Sequence, residues 1–452
     1  MQPDIEGLIA SFSEVVGKDA VGVCHGPSVA GIAPRVEVTP HTVDEAARVM
    51  VRAAEAGAAI VPCGGGSKLA LGNPPSRVDL LLRTSALDRT VEYDAENLVI
   101  TVEAGVTIDT VQSRVAGDGL FLPVDPALPW RATIGGVLAC NVHGPKRLSQ
   151  GSLRDLLLGI KVVLTDGEIV RFGGRTIKNV SGYDLSKLFI GSLGTLGVIV
   201  EATFRLMPVV AREQVALVSL TGLQEASRLS DLIGGSVLLP SALEVLSPGF
   251  SALVLGQGAP DAGDARAQLF VMGFEGHSKA VARQIEAVTG FCSQIPVRGV
   301  ALLDSDEPSS KASPRSTWRA IAGAPETMTA AGYGVSAHVT VPRSDIWSIA
   351  RQAEDEVSSE SVAVAYRISC GTGTAEFWFK GEAGAVTHAL RSLRTSAENH
   401  GGALVLTEGW PVIGGGFDGW GEPRNDYRLI RSIKTKFDSG CLLNPGRFVG
   451  GL

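Results

Sequence analysis

The residues of this sequence best suited to chemistry lie in three glycine clusters. They read Pro62-Cys-Gly-Gly-Gly-Ser-Lys68, then Ala132-Thr-Ile-Gly-Gly136 running on to Asn141, then Gly191-Ser-Leu-Gly-Thr-Leu-Gly-Val-Ile199. Glycine lets a backbone approach a ligand closely and turn with φ > 0. Successive N–H groups in such a turn form a concave nest for an anion. Three clusters separated by strand-like runs point to a long, phosphate-containing cofactor lying along the backbone. The first cluster is not a Walker loop, because no Gly-Lys-Ser/Thr follows at the required spacing. It is not a Rossmann fingerprint either, since Gly64, Gly65 and Gly66 are contiguous and Asn73-Pro-Pro75 cannot open a helix with free N–H groups. Two readings remain for it: a pyrophosphate held by loop amides without a helix dipole, or a tight turn after a buried strand.

The elements around these clusters follow from local pattern. Thr42 with Glu45 makes a capping box, and residues 43–56 have helical apolar spacing that ends at Gly57. Residues 58–63 then read as a buried strand delivering the first loop. Residues 97–103 are strand-like, 107–115 form a short amphipathic helix, and 197–206 form a strand ended before Pro208. Residues 160–165 and 168–172 flank Asp166-Gly167, a two-residue hairpin signal. The clusters stop near residue 211. Beyond it, 213–222, 266–274, 335–341, 361–368 and 374–379 read as strands, 278–288 as a helix, and 304–311 as a surface loop. That alternation predicts an antiparallel sheet with helices on one face. His338 reads on the same face as Val335, Ala337, Val339 and Val341.

Composition bounds the function. The chain has 452 residues, 45% hydrophobic and 19% charged, enough for a substantial core and two or three domains. Its 55 glycines exceed ordinary usage, as a loop-built cofactor site requires. A formal charge of −7, with no Lys/Arg stripe, argues against nucleic acid as a partner. The cysteines (Cys24, Cys63, Cys140, Cys292, Cys370, Cys441) form no CxxC pair, so neither an iron–sulfur cluster nor a structural zinc is expected here. No secretory pattern opens the sequence and no membrane-spanning run occurs, so a cytoplasmic location with reduced thiols is expected, with any membrane association arising through a partner.

Taken together, the clusters resemble the FAD-binding domain of the vanillyl-alcohol oxidase/p-cresol methylhydroxylase (PCMH) superfamily. The chain is similar to the E-type FAD-binding subunits of bacterial glycolate oxidase and their D-lactate dehydrogenase relatives. Further stretches that carry the resemblance are Gly144-Pro-Lys-Arg147, Gly151-Ser-Leu-Arg-Asp155, the Gly173-Gly-Arg-Thr-Ile-Lys-Asn-Val-Ser-Gly-Tyr-Asp184 run, and Phe437-Asp438 leading to Asn444-Pro-Gly-Arg447. The resemblance implies an α+β fold: a two-subdomain PCMH-type FAD-binding domain plus an antiparallel-sheet cap (substrate) domain. The implied organisation is an N-terminal helical segment over 1–34, the FAD-binding domain over 35–210, the cap over 211–429, and a segment over 430–452 returning to the flavin.

The family pattern assigns Pro62, Gly64, Gly65, Gly66, Ser67, Lys68 and Gly72 to the cofactor through the first loop. It adds Asp125, Thr133, Gly135, Gly136, Asn141 and Gly144 on the flavin side, and Gly191, Gly194, Thr195, Val198, Ile199 and Asn444 around it. Ser67 stands where some relatives attach FAD through histidine, so non-covalent FAD is implied. Oxidation of a 2-hydroxy acid needs a cation for the carboxylate and a base for the hydroxyl proton, with hydride passing to flavin N5. His338, Arg343, Arg367 and His143 are the catalytic candidates; each also reads as a structural residue, His143 as a half-buried loop histidine and Arg367 as a salt-bridged strand residue. Asp125 reads equally as an Asx-turn before Pro126. The His-x-Gly-x-Gly-Asn-x-His metal stretch of D-type dehydrogenases has no counterpart, so no metal ligand is assigned.

The resulting expectation is an FAD-dependent dehydrogenase, or dehydrogenase subunit, for glycolate, D-lactate or a similar acid. Its partners would be a second flavin subunit and a separate iron–sulfur subunit. The alternative is a non-catalytic FAD-binding electron-relay subunit of such a complex.

Overall fold

The computed structural model describes residues 3–175, 184–256, 260, 267–306, 312–357, 362–414 and 416–452. Most of the 173–184 signature, part of the 304–311 loop, Ser361 and Gly415 therefore lie outside the described residues. The chain divides into two compact units, one of Met1–Val142, Ser152–Pro208 and Asp418–Leu452, the other of His143–Gly151 and Val209–Phe417.

The first unit contains two main sheets. One has the order Val21–Val23, Val36–Val38, Leu80–Arg83, Ile60–Cys63, its last three strands parallel. The helices Ile5–Val16 and Val43–Glu55 share a core with it. In the second helix Ala46, Val49, Met50 and Ala53 are buried at the i, i+3, i+4, i+7 spacing of an apolar stripe. Burying Val49 and Met50 contributes about 1.5–3 kcal/mol each. Thr42 caps the helix, its Oγ1 accepting from Glu45 N at 3.1 Å. The reciprocal bond differs from a standard capping box, because Glu45 Oε2 accepts from His41 N at 2.7 Å instead of from the cap residue.

The other sheet is antiparallel, in the order Thr90–Asp94, Val99–Glu103, Val198–Arg205, Leu157–Val163, Ile169–Gly173. Its core includes the helices Ile108–Val115 and Ile134–Cys140. The hairpin at Asp166-Gly167 differs from the two-residue turn its sequence suggests. Leu164 N bonds Glu168 O at 2.9 Å and Gly167 N bonds Leu164 O at 3.1 Å, with Gly167 at φ +81°. This is a longer turn closed by a left-handed glycine, the next most common hairpin connection.

The second unit is built on one eight-stranded antiparallel sheet. Its order is Val297–Asp304, Arg212–Leu220, Gln268–Gly276, Ala242–Leu246, Val362–Ser369, Thr374–Gly381, Val335–Thr340, Ala403–Glu408. Val215, Leu217, Leu269 and Val271 share a core with the helices Pro248–Val254, Pro314–Ala322 and Ala324–Ala330. The intervening residues Ala216, Val218, Phe270 and Met272 are also buried, and the helix Ser278–Cys292 contacts these strands. Helices thus cover both faces of this half of the sheet, where one face was expected. The segment His143–Gly151 is tied into this unit by Lys146, whose Nζ lies 2.7 Å from Glu213 Oε1 and 3.0 Å from Glu275 Oε2. Burial works against that ammonium, but the two carboxylates outweigh it and hold its pKa above the usual lysine value. Among the described residues, no helix is long and apolar enough to cross a membrane.

Candidate cofactor site and a polar row on the sheet

A cleft opens in the first unit at the end of the buried strand Ile60–Cys63. Its wall contains Pro62, Gly64, Gly65, Gly66, Ser67, Lys68, Thr133, Gly135, Gly136, Gly194 and Ile199, so the structure brings all three sequence clusters to one cavity. Among the described residues, none of the N–H groups of Gly64, Gly65, Gly66, Ser67 or Lys68 donates to a protein acceptor. A run of adjacent unpaired amides is a nest for an anion. The lining also holds the cations Lys68 and Arg447 and no carboxylate. A pyrophosphate fits the amides of residues 64–68 together with Lys68 by charge and by hydrogen-bond polarity.

The glycines are required by proximity. A Cβ on Gly64 would sit 2.0 Å from Thr133 Oγ1, and one on Gly65 would sit 1.7 Å from the Arg131 carbonyl oxygen. The first and second loops are therefore pressed backbone to backbone. Arg131 Nε donates to Gly65 O, which fixes the contact. The helix Ile134–Cys140 does not present its first amides to the cleft. Ile134 N bonds Val106 O at 2.9 Å, Gly135 N bonds Ala104 O at 2.8 Å, and Gly136 N bonds the cap Thr133 Oγ1 at 3.4 Å. Gly135 is small of necessity, because a Cβ there would meet Ala104 Cβ at 2.9 Å.

The third loop is braced by the C-terminal segment. Asn444 Nδ2 donates to Leu193 O at 2.7 Å, holding Leu193 at φ +52°. Lys434 Nζ donates to Thr195 O and Leu443 O, both at 2.9 Å, and pairs with Asp438. Asp438 in turn accepts from Leu442 N at 3.0 Å and Leu443 N at 2.8 Å. Lys434 and Asp438 are both buried, so the network is a fully satisfied polar clamp.

Several residues expected at the cofactor lie outside the lining. Asn141 is the left-handed C-cap of the Ile134–Cys140 helix, at φ +51°. Gly191, at φ +77°, donates its N–H to Leu138 O at 2.9 Å, and Thr195 Oγ1 turns back to Ser192 O at 2.7 Å. Val198 is buried in the core that the Ile60–Cys63 sheet shares with its two helices, and Gly72 packs on the Arg447 carbonyl. Asp125 is half-buried, with its neighbours Pro126 and Ala127 in the wall. Asn444 acts through Leu193 and Arg447, and Gly144 belongs to the second unit. Residues of the wall that the sequence reading did not select include Cys63, Thr84, Cys140, Leu193 and Arg447.

In the second unit, sheet register assembles a polar row. Glu376 pairs with Arg367 on one side and with His338 on the other. Directly opposed residues of antiparallel strands point to the same face, with Cβ atoms about 4.5–5.5 Å apart. Arg367 is 8% exposed; its Nη2 lies 2.9 Å from Glu376 Oε2 and its Nε 3.8 Å from the buried Glu244. His338 is half-buried, its Nε2 3.3 Å from Thr340 Oγ1. Its face is therefore opposite to that expected: Val335, Ala337 and Val339 are buried on one side, and Ser336, His338 and Thr340 share the other, as the two-residue period requires. Arg343 is exposed on the turn after this strand, and His143 is half-buried in the segment fastened by Lys146.

Two family models match the chain: FAD binding domain over residues 34–173, and FAD linked oxidases, C-terminal domain, over residues 210–387. Glycolate oxidase subunit GlcD of Bacillus subtilis is 28% identical, covering 92% of this chain and 88% of that protein. D-lactate dehydrogenase of Archaeoglobus fulgidus is 34% identical over 48% of this chain and 49% of its own length. Glycolate oxidase subunit GlcE of Escherichia coli is 40% identical over 32% of this chain and 41% of its own length. In fold, 4-ethylphenol oxidase from Gulosibacter chungangensis superposes with a TM-score of 0.75 at 17% identity, covering 99% of this chain and 98% of that one. p-Cresol methylhydroxylase does so with a TM-score of 0.73 at 17% identity, covering 98% and 96%. The chain is an FAD-linked oxidoreductase that carries an FAD binding domain and the C-terminal domain of FAD linked oxidases, with the fold of the vanillyl-alcohol oxidase/p-cresol methylhydroxylase flavoproteins.

Proposed function

We propose that this protein is a dehydrogenase of a small 2-hydroxy acid, of the glycolate or D-lactate type, that binds FAD without a covalent bond. The observation that carries the reading is the run of unpaired amides at residues 64–68 in a cleft lined by cations and no carboxylate. These amides and Lys68 hold the pyrophosphate, while Gly135, Gly136, Gly194 and Ile199 form the wall beside the rest of the cofactor. Ser67 has no ring nitrogen with which to form a histidyl link, which supports non-covalent binding. When bound, FAD accepts the hydride equivalent that leaves the hydroxyl-bearing carbon.

The remaining work falls to the chain's own side chains. Arg343, exposed on its turn, binds the substrate carboxylate. His338 takes the hydroxyl proton, and Glu376, fixed by Arg367, stands beside it in the sheet to orient and stabilise the imidazolium. His143 serves as a second proton partner. The names of the relatives support the substrate class, and the presence of both GlcD and GlcE among them supports a multi-subunit assembly. In that assembly a second flavin subunit and an iron–sulfur subunit carry the electrons away.

The test is anaerobic mixing of the FAD-loaded chain with glycolate or D-lactate while absorbance near 450 nm is followed. Rapid bleaching by either acid supports the reading. Yellow protein that neither acid bleaches contradicts it and favours the electron-relay subunit.

A further inference from the structure

Arg447 has an unusual environment for an arginine. It is 4% exposed and sits in the wall of the cofactor cleft. Its Nη2 donates to Leu69 O at 3.0 Å and Leu71 O at 2.6 Å, and its Nη1 to Asn444 Oδ1 at 3.0 Å. All three acceptors are neutral, and among the described residues no carboxylate forms an ion pair with it. Its Nε–H is buried and has no acceptor. The nearest ionisable neighbours, Cys63 and Cys140, give it no counter-charge, because burial pushes both thiols up and keeps them protonated. Burial also draws the guanidinium down to about 10, which leaves it a cation at neutral pH. An uncompensated buried charge with an open donor is costly unless a ligand answers it.

Lys68 and the amides of residues 64–68 already form an anion site for the phosphates at the start of the loop. Arg447 is anchored farther along, on the carbonyls of Leu69 and Leu71, in a more buried part of the wall. A cation beside a phosphate favours both redox states of the cofactor equally, since the phosphate charge does not change. A cation beside the ring system favours the reduced state, which is richer in electrons, and it acts strongly because the surroundings are of low dielectric.

We propose that Arg447 is a cofactor-contacting cation that stabilises reduced FAD relative to oxidised FAD and so raises the reduction potential of the bound flavin. The inference rests on FAD occupying the cleft, and its test needs no substrate. Arg447→Gln keeps a side-chain amide able to reach the loop carbonyls and removes the charge; Arg447→Lys keeps the charge. The midpoint potential of each FAD-loaded protein is measured by equilibration with reference dyes, and the affinity for oxidised FAD is measured in parallel.

The glutamine variant is expected to lose at least tenfold in affinity for reduced over oxidised FAD. For a two-electron couple, that is a fall of about 30 mV. The lysine variant should keep most of the parental potential. An unchanged potential in Arg447→Gln overturns the proposal, as does equal weakening of both redox forms, which would mark a phosphate anchor. A lysine variant that falls as far as the glutamine one also overturns it. If Arg447→Gln does not fold, the parent protein decides: its bound FAD must have a higher potential than free FAD, and an equal or lower value refutes the role. A parent that takes up no FAD fails the underlying cofactor reading and removes the inference with it.

Discussion

Gly65 is the position where one methyl group tests the cofactor nest. A Cβ added there would fall 1.7 Å from the Arg131 carbonyl oxygen and 2.8 Å from the carbonyl carbon, both backbone atoms of a loop held by its own hydrogen bonds. An ordinary contact needs more than 3 Å, so Gly65→Ala must drive the two loops apart by over an ångström. That movement misaims the amides of residues 64–68. A hydrogen bond to a charged group contributes about 1.5–3 kcal/mol, so misaiming two of them costs about 3–6 kcal/mol. At 1.4 kcal/mol per decade, FAD affinity should fall by roughly 10²–10⁴-fold. The assay is titration of apoprotein with FAD, read by quenching of flavin fluorescence, with thermal unfolding of the apoproteins as the control for folding. Gly65→Asp should be worse still, because it adds negative charge next to the phosphates. A folded Gly65→Ala protein whose FAD dissociation constant stays within threefold of the parent would falsify the nest.

Other perturbations separate the clamp, the sheet edge and the reaction. Lys434→Met leaves Asp438 buried without its cation and should destabilise the first unit by about 3–5 kcal/mol in urea unfolding. Asp304, held below the usual carboxylate range first by its bond to Arg212, adds stability above the unfolded pKa of about 3.9 and loses it as pH falls through the folded value. Asp304→Asn should therefore cost about 1–2 kcal/mol at pH 7, and the difference from the parent should shrink as pH falls through the folded value and vanish below it. His338→Gln should lower the rate of anaerobic flavin bleaching by about 10²-fold or more while leaving FAD affinity unchanged; an unchanged rate removes His338 from the reaction.

What was legible in the sequence is what local chemistry determines. The cap at Thr42, the strand leading into Gly64 and the glycine nest all depend on neighbours a few residues away. Long-range partners were not legible. Arg447 reaches the carbonyl of Leu69 across 378 positions, and only the folded chain shows that its guanidinium lies in the cleft wall. Glu376 gains meaning only from the register that sets it between Arg367 and His338. A close backbone approach looks the same in sequence whether the approaching atom belongs to a cofactor or to the protein. Gly135 lies in the cleft wall and is also packed on Ala104, and Asn141 takes a left-handed conformation to end a helix. The face of His338 was recoverable from strand period alone, and Ser336 and Thr340 were the signal for it.

The cleft at residues 64–68 is the proposed non-covalent seat of FAD. The most direct test is the flavin content of the purified, FAD-supplemented chain before and after denaturation. About one flavin per chain is expected by absorbance, all of it released into the supernatant as intact FAD when the protein is precipitated. Protein that remains colourless in excess FAD, or flavin that stays with the precipitate, contradicts it.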